Sequence, residues 1–159
     1  MHTRQIIPSL RAVTPAEVVA ITEVLVGAGI GMIEVPLNSP EPMKSIEILA
    51  RRFPDVLIGA GTVLDPADAD RVKAAGGELV LMPHSDPAVI ARAKALGMSC
   101  VPGVTTPTEA FAALKAGADA LKMFPAEMLP PPVVKAWRAV IPASTVLMPV
   151  GGVTPERLK

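Results

Sequence analysis

The chain has no tyrosine, one tryptophan and three phenylalanines in 159 residues. So thin an aromatic complement leaves no stacking platform for single-stranded nucleic acid. Net charge is also missing: 15 Lys plus Arg face 15 Asp plus Glu. A balanced surface gives polyanions and anionic membranes little to grip. Cys100 is the single cysteine, so no disulfide can form within the chain, as suits a reducing compartment. With only His2 and His84 beside that cysteine, no metal-ligand spacing appears. No apolar run approaches the ~20 residues that cross a bilayer. No apolar signal core follows Met1-His2-Thr3-Arg4-Gln5. The expectation is a cytoplasmic protein with no metal, no nucleic-acid partner and no membrane partner.

Half the residues are hydrophobic and 18 are proline. Their placement is regular. Short β-rich runs alternate with Ala-rich amphipathic runs. Strands are expected at Ile6–Leu10, Met32–Pro36, Leu57–Gly59, Leu79–Met82, Ser99–Val101, Ala120–Met123 and Thr145–Val150. Helices are expected at Pro15–Ala28, Pro40–Arg52, Pro66–Ala75, Pro87–Ala95, Pro107–Ala116 and Pro130–Val140, with another opening at Pro155. Thr14-Pro15, Ser39-Pro40, Asp65-Pro66, Asp86-Pro87, Thr106-Pro107 and Thr154-Pro155 each set a capping side chain before a proline. The side-chain oxygen accepts from a free N–H of the first turn. Proline suits the first helical position because its missing N–H has no partner there anyway. Glycines close the helices, as at Gly76-Gly77, Gly97 and Gly117.

Strands alternating with helices imply parallel strands and right-handed crossovers. No G-x-G-x-x-G follows the first strand, which disfavours an open dinucleotide-binding sheet. The short, even repeat favours a (β/α)₈ TIM barrel. A complete barrel runs to ~250 residues, ~200 at the small end. The expectation is one barrel domain over residues 1–159, lacking its last strand and helix in this chain.

Catalytic groups of parallel barrels sit at the C-terminal ends of the strands. The polar groups there are Arg11, Glu34, Asn38, Ser39, Thr62, His84, Thr105, Thr106, Lys122, Glu127 and the pair Gly151-Gly152. Lys122 lies in the apolar strand Ala120-Leu121-Lys122-Met123. Desolvation there lowers a lysine's pKa and yields the neutral amine that attacks a carbonyl. The alternative is a packed stem with its ammonium in solvent. Glu34, in Met32-Ile33-Glu34-Val35, is a carboxylate whose pKa the same burial would raise for acid–base work, or else a structural partner for a cation. The N–H groups of Gly151-Gly152 and the N-terminus of the next helix can hold an anion. Arg11 is a candidate carboxylate fork, against the alternative of a surface ion pair.

Five segments then stand out together. They are Ile33-Glu34-Val35-Pro36-Leu37-Asn38-Ser39-Pro40, Gly59-Ala60-Gly61-Thr62-Val63-Leu64, Pro102-Gly103-Val104-Thr105-Thr106, Leu121-Lys122-Met123-Phe124-Pro125-Ala126 and Val150-Gly151-Gly152-Val153-Thr154-Pro155. In this order the chain resembles the KDPG/KHG aldolases, those of the 2-keto-3-deoxy-6-phosphogluconate and 2-dehydro-3-deoxy-6-phosphogalactonate type. The resemblance implies that Lys122 is the Schiff-base lysine and Glu34 the general acid/base. It implies that Thr62 contacts the pyruvyl part and that Gly151 and Gly152 cradle phosphate. Arg11 resembles the galactonate branch's arginine, whereas the gluconate branch usually has one near Asn38. Pro83, in Met82-Pro83-His84, stands where a Ser/Thr-Pro-Asn or Ser-Pro-Gly usually contacts ligand. The implied reaction cleaves a phosphorylated 2-keto-3-deoxy sugar acid to pyruvate and glyceraldehyde 3-phosphate, without metal or organic cofactor, in a homotrimer. The galactonate substrate is preferred over its gluconate epimer and 4-hydroxy-2-oxoglutarate. A non-catalytic assembly or phosphate-binding fragment and a phosphosugar isomerase are the readings of other classes.

Overall fold

A computed structural model describes residues 6–154. The elements run α1 (Val18–Gly27), β1 (Met32–Pro36), α2 (Pro42–Arg52), β2 (Leu57–Gly61), α3 (Pro66–Ala74), β3 (Leu79–Leu81), α4 (Pro87–Ala95), β4 (Ser99–Val101), β5 (Gly103–Val104), α5 (Pro107–Lys115), β6 (Ala120–Met123), α6 (Pro131–Arg138) and β7 (Val146–Pro149). All strand pairs are parallel, in the order β1-β2-β3-β4 and β5-β6-β7. The expected strand Ser99–Val101 is β4, and a short β5 that was not expected follows it where the two sheets meet, across Pro102. The Pro102 carbonyl still accepts from Lys122 N at 2.9 Å, and Cys100 O accepts from Asp119 N at 3.0 Å. The run of parallel strands is therefore continuous and has the connectivity of a (β/α) barrel.

Capped prolines explain the helix starts. Asp65 accepts from Ala67 N, Asp86 accepts from Ala88 N, and Thr106 forms a capping box with Glu109. Gly76, Gly97 and Gly117 follow their helices at φ 87°, 71° and 101°, the left-handed conformation that closes a helix without a Cβ clash.

Three expectations need correction. The first strand, Ile6–Leu10, shrinks to one bridge, Ser9 to Glu34. Its register is intact, since Leu10 N donates to Glu34 O and Glu34 N to Pro8 O. Pro8, however, has no N–H of its own to extend the ladder. Helix α1 begins at Val18 rather than Pro15, because Thr14 and Glu17 bond to each other across a preceding turn. Helix α2 begins at Pro42 rather than Pro40, and Ser39 is not its cap. The Ser39 hydroxyl bonds Leu10 and Ala12 instead. The helix expected from Pro155, and His2, lie outside the described residues.

Candidate active site

Successive residues of a strand face opposite sides of a sheet. Here that alternation separates two apolar clusters. Ile33, Val35, Ile58, Ala60, Val80, Leu121 and Met123 pack outward into one core with helix residues such as Ile46, Leu49, Val72 and Ile90. Leu79, Leu81, Val101 and Ala120 form a small second cluster with Leu57 and Met148 beside it. Glu34 lies between outward Ile33 and Val35, and Lys122 lies between outward Leu121 and Met123. Both therefore project to the inner face. Lys122 is in register with Gly103 and Met148, and Glu34 with Gly59.

Glu34 is 6% exposed, and its Oε2 is buried with no hydrogen-bond partner among the described residues. Burial raises its carboxyl pKa above the usual range. Ser9, Lys122, Arg11 and the Gly61 backbone pull the other way without cancelling it. Gly61 is indispensable to this placement: a Cβ there would stand 1.9 Å from Glu34 Oε2. Lys122 is half-buried on β6. Desolvation lowers its ammonium pKa, Glu34 raises it, and Arg11 lowers it further. Its Nζ stands 4.7 Å from the centre of the Phe124 ring. Lys122 and Glu34 thus sense each other's charge, yet they form no ion pair among the described residues.

The other predicted residues lie just past the C-terminal ends of the strands. Arg11 is exposed, and its Nη1 donates to Asn38 Oδ1 at 3.3 Å. Thr62 directly follows Gly61 and holds φ 57°. A threonine in the left-handed region is uncommon, and such strain gathers at ligand sites. Pro83 packs its carbonyl against Gly103, where a Cβ would meet it at 2.6 Å. His84 O accepts from Gly103 N at 3.1 Å, while the imidazole is exposed. Gly151 and Gly152 end β7 at φ 97° and 60°. The Glu127 side chain lies against both, so any Cβ there would clash with it. Thr105 Oγ1 donates to Phe124 O at 2.8 Å, tying the β5 end to the β6 end.

Comparison with known proteins decides what these groups belong to. The family "Aldolase: KDPG and KHG aldolase" matches residues 1–159. The chain belongs to this aldolase family. It is 44% identical to the 2-dehydro-3-deoxy-6-phosphogalactonate aldolase of Escherichia coli (strain K12) over 154 residues, covering 96% of this chain and 75% of the relative. It is 46% identical over 152 residues to the probable 2-dehydro-3-deoxy-6-phosphogalactonate aldolase of Rhizobium meliloti (strain 1021), covering 95% of this chain and 72% of the relative. The solved "Native KDPGal structure" superposes with a TM-score of 0.95 at 42% identity, over 99% of this chain and 77% of that one. The chain is a carbon–carbon lyase built on the family's barrel.

Three residues of this aldolase's inner site escaped the sequence reading as individuals. Ser9 precedes Arg11 by two, and its side chain hydrogen-bonds the Glu34 carboxyl group. Period-2 alternation from Arg11 was the available signal. Gly61 stands in the sequence only as part of the Gly59–Leu64 segment, although its spacing from Gly59 places both on one face. Phe124 read as part of a motif, although its ring flanks Lys122.

Proposed function

We propose that this aldolase cleaves 2-dehydro-3-deoxy-6-phosphogalactonate into pyruvate and glyceraldehyde 3-phosphate through a Schiff base on Lys122. The carrying observation is the inward pair of Lys122 and Glu34, with burial lowering the amine's pKa and raising the acid's. A lowered ammonium pKa enlarges the neutral fraction able to attack the C2 ketone. Water leaves, and the protonated imine becomes an electron sink. Glu34, directly or through a water, takes the proton of the C4 hydroxyl. The C3–C4 bond breaks, its electrons pass to the imine, and the aldehyde departs. The remaining enamine takes a proton at C3. Hydrolysis then returns the Lys122 amine and releases pyruvate.

Arg11, steadied by Asn38, holds the substrate carboxylate beside Lys122. Thr62 and Pro83 line the pyruvyl end, and the Gly151-Gly152 turn receives the phosphate. The galactonate epimer is preferred because no arginine stands near Asn38, where the gluconate branch usually has one, except Arg11 itself, the cation near the pair. A homotrimer in the cytoplasm completes the proposal. Among the described residues, exposed Val24, Phe111, Met128 and Val140 offer apolar surface that association would cover, and no helix is long and apolar enough to cross a membrane. Pyruvate release from the two epimers, followed by coupled reduction to lactate, tests the substrate. Faster release from the galactonate acid is expected. Preference for the gluconate acid or for 4-hydroxy-2-oxoglutarate would overturn it.

A further inference from the structure

We propose that Ser39 is a positioning residue whose hydroxyl latches the Leu10–Ala12 loop and so holds Arg11 beside the Lys122–Glu34 pair. Ser39 is 8% exposed, on the loop between β1 and α2. Its Oγ accepts from Ala12 N at 3.2 Å and donates to Leu10 O at 3.4 Å. The two bonds grip the backbone on either side of Arg11. They also act where the backbone needs support, because Ala12 holds φ 60°. A residue with a Cβ keeps that conformation only when its surroundings impose it. Released, the loop would relax toward negative φ and turn Arg11 to a new direction.

Two further observations point the same way. The hydroxyl is not engaged in capping, since α2 starts at Pro42 and its N-cap is Glu41. Arg11 itself has one side-chain hydrogen bond among the described residues, to Asn38, the neighbour of Ser39. Both restraints on the arginine therefore come from adjacent residues of one loop, and a serine hydroxyl supplies the backbone half. The groups facing Lys122 are Glu34 from β1 and Arg11 from the latched loop. Moving Arg11 away removes one positive charge from beside the amine.

This inference rests on the reading that Arg11 binds the substrate carboxylate. Borohydride trapping of pyruvate tests both, read as the half-saturating pyruvate concentration and as the pH midpoint of trapping. Ser39→Ala is expected to raise the pyruvate requirement about tenfold, the effect of losing a well-aimed charged contact. The pH midpoint should move upward, because Lys122 loses the neighbour that depresses its pKa. Ser39→Thr, which keeps the hydroxyl, should restore both. Arg11→Ala should reproduce both effects, and Arg11→Ala with Ser39→Ala should be no worse than Arg11→Ala alone. If Arg11→Ala changes nothing, the carboxylate reading falls. If Arg11→Ala acts and Ser39→Ala does not, or the two effects add, the latch falls. Should Ser39→Ala fail to fold, Ser39→Cys reads the same two quantities with a weaker donor and acceptor; parent values from a folded Ser39→Cys would overturn the latch.

Discussion

The two faces of the strands differ more than any two segments of the chain. The outer face is continuous: Ile33, Val35, Ile58, Ala60, Val80, Leu121 and Met123 meet the helices with almost no exposed surface. The inner face carries only a small apolar cluster, and beside it glycines, a carboxylate and an amine. Neighbouring residues such as Ile33 and Glu34 thus belong to different problems. The outer residue contributes to stability through burial. The inner residue gives up stability, because its charged form is desolvated, and gains reactivity. Glycine at 59, 61 and 103 keeps that inner face open where a side chain would collide.

Breaking the comparison begins at Lys122. Lys122→Ala should lower cleavage by about four orders of magnitude or more, as loss of a covalent nucleophile does, while circular dichroism stays that of the parent. Activity near the parent level would show that the inner amine has no special task. On the outer face, Ile33→Ala should lower stability by about 2–5 kcal/mol in urea unfolding. Its folded fraction should cleave at the parent rate; a lost rate without lost stability would dissolve the distinction between the faces.

Glu34→Gln sharpens it, because this one change should act oppositely on the two properties. Turnover is expected to fall about a hundredfold, the lower end for losing a positioned acid–base group. Stability should rise at neutral pH. The sign follows from linkage: the folded pKa of Glu34 lies above its unfolded value, so its contribution is fully present below about pH 4.5. That contribution is lost as pH rises through the folded pKa. The variant should therefore melt higher than the parent at pH 8 and match it below about pH 4.5. A melting temperature lowered at pH 8 would mean that the charge attraction of Lys122 and the hydrogen bond from Ser9 outweigh desolvation. The smallest effect is expected at a helix cap. Thr106→Ala removes a capping box and should lower stability by about 1 kcal/mol, with KM unchanged.

The outer face was the part most legible in sequence. Apolar alternation and capped prolines are local signals, and five of the strands began where they were expected. Ser39 shows the limit. Ser39-Pro40 has the same local form as Asp65-Pro66, yet a loop 27 residues away takes the serine hydroxyl. The inner pair was legible because a charge inside an apolar run is conspicuous. Its supports were not: Gly61 matters through a contact with Glu34 across the strand pair, and Ser9 through a segment that barely registers as a strand. Such roles depend on register, which no stretch of sequence states by itself.

The central claim is that Lys122 forms the Schiff base. Borohydride reduction of the chain in the presence of pyruvate, followed by peptide mass mapping, tests it most directly. The account predicts one reduced pyruvate adduct, on the peptide containing Lys122, absent without pyruvate and growing with pH as the amine loses its proton. An adduct on another lysine, or none from the folded chain at saturating pyruvate, would contradict it.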